Sequence, residues 1–234
     1  MQQDEKQFKA ALDDYWKKVQ EIYAPYANQD IDKDGNPLLY YVFQTDVHYN
    51  PDLMIVGINP GASYHGKPFL CREDEHGVVK NYYLLGANED AWARRLQSVF
   101  DYKQGESNNS YLSSAFENCV GTNKVFINTR IEKGCLSFKD IHPKAKALLE
   151  ELIRIVKPKH IVALGRSPFD TLKQGPVKQI KDSGINFKYS KYNGIPLAYI
   201  PNPSGLCSRY YNTEEKVNFW KERITEFLKD ELYK

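Results

Sequence analysis

Two short turns contain the residues of this chain that could do chemistry. Residues 57–61 (GINPG) directly follow the apolar run 53–56, and residues 201–206 (PNPSGL) directly follow the apolar run 196–200. Each pattern predicts a buried strand that ends abruptly in a turn. Because ligands of open parallel sheets bind at the carboxyl ends of the strands, we expect both turns to border one crevice.

Asn59 is the candidate reactive side chain of the first turn. Its amide could simply cap nearby backbone groups, as asparagine often does in turns. Gly57 and Gly61 would also allow close approach to the backbone, while Pro60 restricts the turn further. The turn alone therefore leaves a structural and a functional interpretation of Asn59 open.

The two motifs together, in this order and each at a strand end, resemble those of the uracil-DNA glycosylase superfamily. The branch they resemble most is the mismatch-specific uracil and thymine DNA glycosylases, and the resemblance extends from about residue 53 to the C-terminus. It implies an α/β three-layer sandwich with a central four-stranded parallel sheet. It also implies a monofunctional enzyme of base excision repair that flips uracil, mismatched or not, out of DNA and hydrolyses its N-glycosidic bond. No cofactor and no metal are implied.

The resemblance assigns roles to the residues around the first turn. It implies that Asn59 holds the water that attacks the sugar C1′, and that the turn at Ile58 offers backbone N–H groups to the base carbonyl. Phe69 would stack on the flipped base, although a core aromatic is an equally good interpretation. Asn128 could pair with the Watson–Crick edge of the base, or it could cap a strand end.

The second turn is implied to contact DNA. In the family this loop, here Pro203, Ser204 and Gly205, pinches the phosphates, and its leucine, here Leu206, enters the space that the flipped nucleotide vacates. Burial under the following helix is the alternative for Leu206. One extra residue separates Leu206 from Arg209 compared with the family pattern. Basic residues that follow strands or lie in the site loops could form a local phosphate-binding face: Lys67, Arg130, Lys133, Arg166 and Arg209.

Composition excludes a nucleic-acid binder that works by bulk charge. The 234 residues are 41% hydrophobic and 26% charged, as in an ordinary globular chain, with a net charge of only +2. Any DNA footprint must therefore be local. The four cysteines contain no C-x-x-C pair, which disfavours zinc and iron–sulfur sites. Residues 30–35 imitate the start of a calcium loop, but Tyr41 stands where the bidentate Glu belongs, so we interpret them as a polar turn.

Apolar runs that alternate with helical periodicity predict a parallel sheet with helices on both faces. The predicted core strands are 53–57, 124–128, 160–165 and 196–200. The predicted helices are 3–23, 88–100, 110–119, 142–156, 167–173 and 214–228. Residues 38–43 indicate an edge strand, and residues 184–192 a loop or an edge strand.

The organisation expected is one domain over residues 1–234, with a helical N-terminal extension of about residues 1–28. Neither a signal peptide nor an apolar run long enough to span a bilayer is found in the sequence. We therefore expect a cytoplasmic monomer with reduced thiols, DNA as its partner and no membrane association. A second hypothesis also fits: a diverged, non-catalytic member of the fold that binds nucleic acid or a nucleotide without cleaving it.

Overall fold

A computed structural model describes residues 2–27, 42–59, 82–85, 90–127, 141–182 and 184–233 of the chain. The α-helices are α1 (Gln2–Ala27), α2 (Tyr82–Leu85), α3 (Ala91–Val99), α4 (Tyr111–Glu117), α5 (Ile141–Val156), α6 (Arg166–Leu172) and α7 (Glu214–Leu228). The strands are β1 (Leu53–Gly57), β2 (Val120–Asn123), β3 (His160–Leu164), β4 (Gln174–Asp182), β5 (Ile185–Tyr192) and β6 (Ile195–Ile200). Short 3-10 helices span Gly205–Tyr210 and Glu231–Tyr233.

Within the described residues the sheet has six strands and is mixed, which corrects the expectation of a four-stranded parallel sheet. Its order is β2-β1-β3-β6-β5-β4. The four neighbouring strands β2, β1, β3 and β6 run parallel, and β5 and β4 add an antiparallel hairpin to one side. The parallel strands β1 and β3 are buried at every position, as expected where helices cover both faces.

Helices cover the two faces of the sheet and form two separate cores. One face packs against α1, α5 and α6, and the other against α2, α3, α4 and α7. Alternation along the strands separates the two sets, because Met54 and Val56 enter the first core while Leu53 and Ile55 enter the second. The result is a three-layer arrangement around the sheet.

Helix α1 is an integral part of the first core. Tyr15, Val19 and Tyr23 on its inner face are fully buried. Lys18 Nζ reaches Glu151 on α5 at 2.6 Å, which joins the two helices at the surface. The helix extends four residues past the predicted end at residue 23. No helix within the described ranges combines the length and apolar character needed to cross a membrane.

The second core strand lies four residues earlier than the sequence predicts. The ladder is formed by Val120–Asn123 rather than residues 124–128. The apolar residues Val125, Phe126 and Ile127 are nonetheless buried, because they join the core beneath α1. The Phe126 N–H donates to the Tyr23 hydroxyl at 3.3 Å instead of to a neighbouring strand. Residues 125–127 are buried but lie outside the ladder with β1, which explains why the apolar run indicated the wrong segment.

The β4–β5 hairpin is the other departure from prediction. Residues 185–192 form an internal strand between β6 and β4, and the edge is formed by β4, for which the sequence predicted no strand. Eight of the nine residues of β4 are exposed, so its sequence has no apolar alternation. Of the predicted edge strand 38–43, only the end is described: Phe43 forms a single antiparallel bridge with Thr122.

Candidate functional site

The structure brings the two motif turns together at the carboxyl edge of the sheet. Strand β3 lies between β1 and β6, and Gly165 directly follows it with φ of 99°. A Cβ at Gly165 would lie 3.4 Å from Ile58 Cδ1 and 3.5 Å from Asn202 Cβ. Glycine is favoured there by the backbone conformation, since a Cβ would make only ordinary van der Waals contacts with the two turns. The two turns therefore face each other across Gly165, as the strand-end argument predicts.

The first turn is held by the segment that follows β2. The Lys124 N–H donates to Gly57 O at 2.9 Å, and the Val125 N–H donates to Ile58 O at 3.0 Å. Asn59 is half-buried one residue beyond this clasp. Asn59 thus follows a turn that the segment after β2 fixes, at the carboxyl edge of the sheet, where a ligand would bind.

Asn123 is a candidate site residue that sequence reasoning missed. It ends β2, pairs in register with Gly57 and is only 5% exposed. Its side chain lies so close to the first turn that a Cβ on Gly57 would collide with Asn123 Oδ1. Its Nδ2 has no hydrogen-bond partner among the described residues. An unpaired buried amide is costly, and it is usually explained by function or by an unseen partner.

The signal that could have identified Asn123 was the correct end of β2. The sequence predicts this strand over residues 124–128, so the amide expected at its end was that of Asn128. With the strand at Val120–Asn123, the same argument selects Asn123. Asn128 itself lies outside the described residues, as do the predicted site residues Lys67 and Phe69 and the basic residues Arg130 and Lys133.

The second turn is organised by Asn202 and by two side chains from α3. Asn202 Oδ1 accepts hydrogen bonds from Trp92 Nε1 at 2.7 Å and from the Ser204 N–H at 3.3 Å. The Arg95 guanidinium donates to Pro203 O at 2.9 Å. Helix α3 is in turn capped by Asp90, whose carboxylate accepts from the Trp92 N–H at 2.8 Å. Sequence reasoning predicted α3 but gave Trp92 and Arg95 no role in the site.

The start of the turn is fixed from below by Tyr211, whose hydroxyl donates to Pro201 O. Burial raises the pKa of Tyr211 well above its usual value, which keeps this hydroxyl protonated and able to donate. Pro203 is buried, Ser204 is half-buried and Gly205 is exposed. The turn thus presents its Ser-Gly end to solvent while its base is anchored.

The chain continues from the turn as a 3-10 helix over Gly205–Tyr210, so Leu206 and Arg209 are on a helical segment rather than an extended tip. The side chain of Leu206 lies outside the described part of the structure. Arg209 is exposed, with its guanidinium 5.0 Å from the centre of the Tyr210 ring. Its Nη2 also donates to the Tyr210 hydroxyl at 3.0 Å.

Basic side chains border the crevice at two further points. Lys124 Nζ donates to Ser167 Oγ at 2.7 Å, which connects the end of β2 to the first turn of α6. Arg166, which starts α6, is exposed and pairs with Asp170 at 3.1 Å. The arrangement combines an asparagine on a fixed turn, a buried amide beside it and a second, rigidly held turn opposite. Such a site could bind a planar amide-bearing ligand and position water without a metal.

Residues 45–224 match the family described as the uracil DNA glycosylase superfamily. The matched range contains both turns, Asn59, Asn123, Asn202 and all six strands, and it excludes α1. Comparison with curated proteins returned no match.

Proposed function

Because the chain belongs to the uracil DNA glycosylase superfamily, we propose that it is a monofunctional DNA glycosylase that removes uracil from DNA. Membership alone supports a glycosylase-like hydrolase with DNA as substrate. The observation that carries the finer proposal is Asn123, a buried amide at the end of β2 whose donor has no partner among the described residues and whose side chain lies beside Gly57 of the first turn.

Asn123 is proposed to read the base, in the role that the sequence suggested for Asn128. The edge of uracil presents carbonyl oxygens and one N–H, so a single amide can donate through Nδ2 and accept through Oδ1. Cytosine carries an amino group where uracil carries a carbonyl, and it would meet the Nδ2 donor with another donor. The two donors would both be left without an acceptor, which gives strong discrimination against cytosine. Phe69 is proposed to stack on the base, and the Ile58 turn to bind a base carbonyl with its backbone N–H groups.

Asn59 is proposed to position the water. As the bond between C1′ and the base nitrogen breaks, its electron pair leaves with the base, and the sugar becomes an oxocarbenium-like cation. The water oxygen then adds to C1′ and loses a proton, while the uracil anion takes up a proton, so that the products are an abasic site and free uracil. An asparagine is too weak a base to drive this step, so stabilisation of the leaving anion by fixed N–H dipoles supplies much of the rate.

The second turn is proposed to grip the DNA. Its Ser204 and Gly205 are accessible to phosphates, while Pro203 and Asn202 are held by Arg95 and Trp92. A rigid turn loses little conformational freedom on binding. Leu206 is proposed to fill the gap in the base stack, and Arg209 and Lys67 to contact the backbone.

The test is a single-turnover assay on a panel of oligonucleotides, followed by alkali. Uracil opposite guanine, uracil opposite adenine and single-stranded uracil are compared with thymine opposite guanine and with unmodified DNA. The proposal expects alkali-dependent scission at uracil and none without alkali. Binding of uracil DNA with no scission would favour the alternative of a non-catalytic binding protein, and scission without alkali would contradict a monofunctional enzyme.

A further inference from the structure

The β4–β5 hairpin concentrates positive charge. Residues 174–192 contain four lysines and one aspartate, a formal charge of +3, whereas the whole chain carries only +2. The hairpin turn lies at the carboxyl edge of the parallel strands, because β5 runs antiparallel to β6. By this register, Lys181 and Lys188 lie toward the edge of the candidate site, whereas Lys191, level with Pro196, lies toward the opposite edge.

Strand register divides the four lysines between the two faces of the hairpin. Lys188 pairs with Gln179 and with Tyr199, and Lys181 lies two residues beyond Gln179, so Lys181 and Lys188 share one face. Lys178 pairs with Tyr189, and Lys191 lies 5.2 Å from the Tyr233 ring, which places both on the opposite face beside α7. Each face thus carries two lysines.

The face with Lys181 and Lys188, here called the basic face, continues into the second turn. Lys188 Nζ lies 5.6 Å from the centre of the Tyr199 ring, and Tyr199 immediately precedes the last residue of β6. Lys181 pairs with Asn186, two residues closer to the hairpin turn than Lys188, and so lies level with the start of the second turn. By strand register, Lys188 on β5 and Lys181 on β4 therefore lie at increasing distance from β6, beside its end and the start of the second turn.

No carboxylate within the described ranges pairs with Lys181 or Lys188. Asp182 is on the other face, since it pairs with Ile185 of the second core. Asp170, the acid of α6 near Tyr199, is occupied by Arg166 and by Lys173 at 2.6 Å. The charge of the basic face is thus available to an external anion.

We propose that the basic face binds the phosphate backbone of duplex DNA flanking the nucleotide in the site. The inference rests on the proposed function, since it extends the DNA footprint of that same site. Two lysines beside a gripping turn would fix the duplex without reading its sequence. The ordinary alternative is that the lysines of the hairpin only protect this side of the sheet against aggregation, and that role would not distinguish one face from the other.

The two faces supply a charge-matched experiment. The double variant Lys181→Gln, Lys188→Gln is compared with Lys178→Gln, Lys191→Gln by measuring affinity for uracil-free and uracil-containing duplexes between 50 and 200 mM salt. Log affinity falls as log salt rises, and loss of each lysine–phosphate contact should make this slope less steep by about 0.9. Loss of both basic-face lysines should therefore reduce its magnitude by about 1.8. In the variant Lys178→Gln, Lys191→Gln the slope should change by less than half of the roughly 0.9 expected for one phosphate contact. The single-turnover rate of the opposite-face variant should be unchanged.

Each outcome decides the proposal. Equal decreases in the two double variants would show a bulk charge effect and overturn it, as would no decrease in either. If the variant Lys181→Gln, Lys188→Gln bound phosphatidylserine vesicles more weakly than the wild type but bound DNA equally well, the basic face would be assigned to a membrane surface and the proposal would also be overturned. If DNA binding depends on the basic face but the wild type releases no uracil, the glycosylase proposal fails while the basic face stands.

Discussion

At the scale of single residues, the site depends on how two amides are held at adjacent strand ends. Asn59 is on a turn whose backbone is fixed by Lys124 and Val125, and Asn123 is buried against Gly57. Neither side chain needs an unusual pKa to act, since amides do not titrate. Substitutions at these two positions should therefore act through geometry and hydrogen bonding, and their effects should not depend on pH.

Replacing Asn59 by alanine should leave the fold and DNA affinity nearly intact while it removes most turnover. Loss of the positioned water should lower the single-turnover rate by about 10²-fold or more. Rates and affinities are measured on the same uracil duplex. An Asn59→Ala protein that cleaves at the wild-type rate would remove the catalytic assignment.

Gly57→Ala should damage the site through Asn123. Gly57 has no left-handed backbone, so alanine is conformationally acceptable, but its Cβ would collide with Asn123 Oδ1. Overpacking of this kind costs about 1–3 kcal/mol of stability, and the displaced amide should lower uracil excision.

The double variant Gly57→Ala, Asn123→Ala separates these two effects. Removal of the amide relieves the collision, so thermal stability should return toward that of Asn123→Ala alone. Activity should stay low, because the proposed base-reading group is gone. Recovery of both stability and activity would show that Asn123 only packs there.

At the scale of elements, the second turn is positioned by α3 rather than by its own sequence. Trp92 and Arg95 reach Asn202 and Pro203 across more than a hundred residues of chain. Helix α3 is fixed by its Asp90 cap and by Leu96 and Val99, which are part of the second core. The proposed grip on DNA therefore depends on a helix that contributes no residue to the two motifs.

Arg95→Gln should weaken this arrangement. A hydrogen bond from a charged donor contributes about 1.5–3 kcal/mol, and partial exposure places Arg95 at the low end, so kcat/KM should fall about tenfold. The control is Arg94→Gln, which removes the same charge from the exposed neighbouring position of α3. Equal losses in the two variants would indicate a general charge effect instead of a positioned turn.

Leu206→Ala tests the proposed wedge. A side chain that fills the gap left by the flipped base offsets unstacking, which costs a few kcal/mol per step in a duplex and little in a single strand. Activity on duplex uracil DNA should therefore fall several-fold further than on single strands, with melting temperature nearly unchanged. Equal rate losses together with a stability loss of about 2–5 kcal/mol would identify Leu206 as a core residue.

At the scale of the whole molecule, sequence patterns predicted the elements that are buried and locally periodic. Strands β1, β3 and β6 follow from their apolar runs, and the predicted bounds of α7 match the structure. Strand β4 could not be predicted because its side chains are exposed. Strand β2 was misplaced because its own residues, VGTN, are weakly apolar, whereas the following residues are buried by α1.

These limits determined what could be predicted of the site. That the two turns meet followed from their positions after parallel strands, and the structure brings them together across Gly165. Asn123 was missed because its role depends on the true end of β2. Trp92 and Arg95 were missed because their contacts are long-range and side-chain specific, and no local pattern reports such contacts.

The central claim is that this chain releases uracil from DNA through Asn59 and Asn123. The most direct measurement is free uracil detected by mass spectrometry after a single turnover on a uracil duplex, for wild type, Asn59→Ala, Asn123→Ala and Asn118→Ala. Asn118 is an exposed asparagine at the end of α4 and has no role in the proposed chemistry. The account predicts free uracil in equal amount to abasic sites from wild type and Asn118→Ala, and at least about 10²-fold slower release from the other two. Absence of free uracil with the wild type, or equal release by Asn123→Ala, would contradict it.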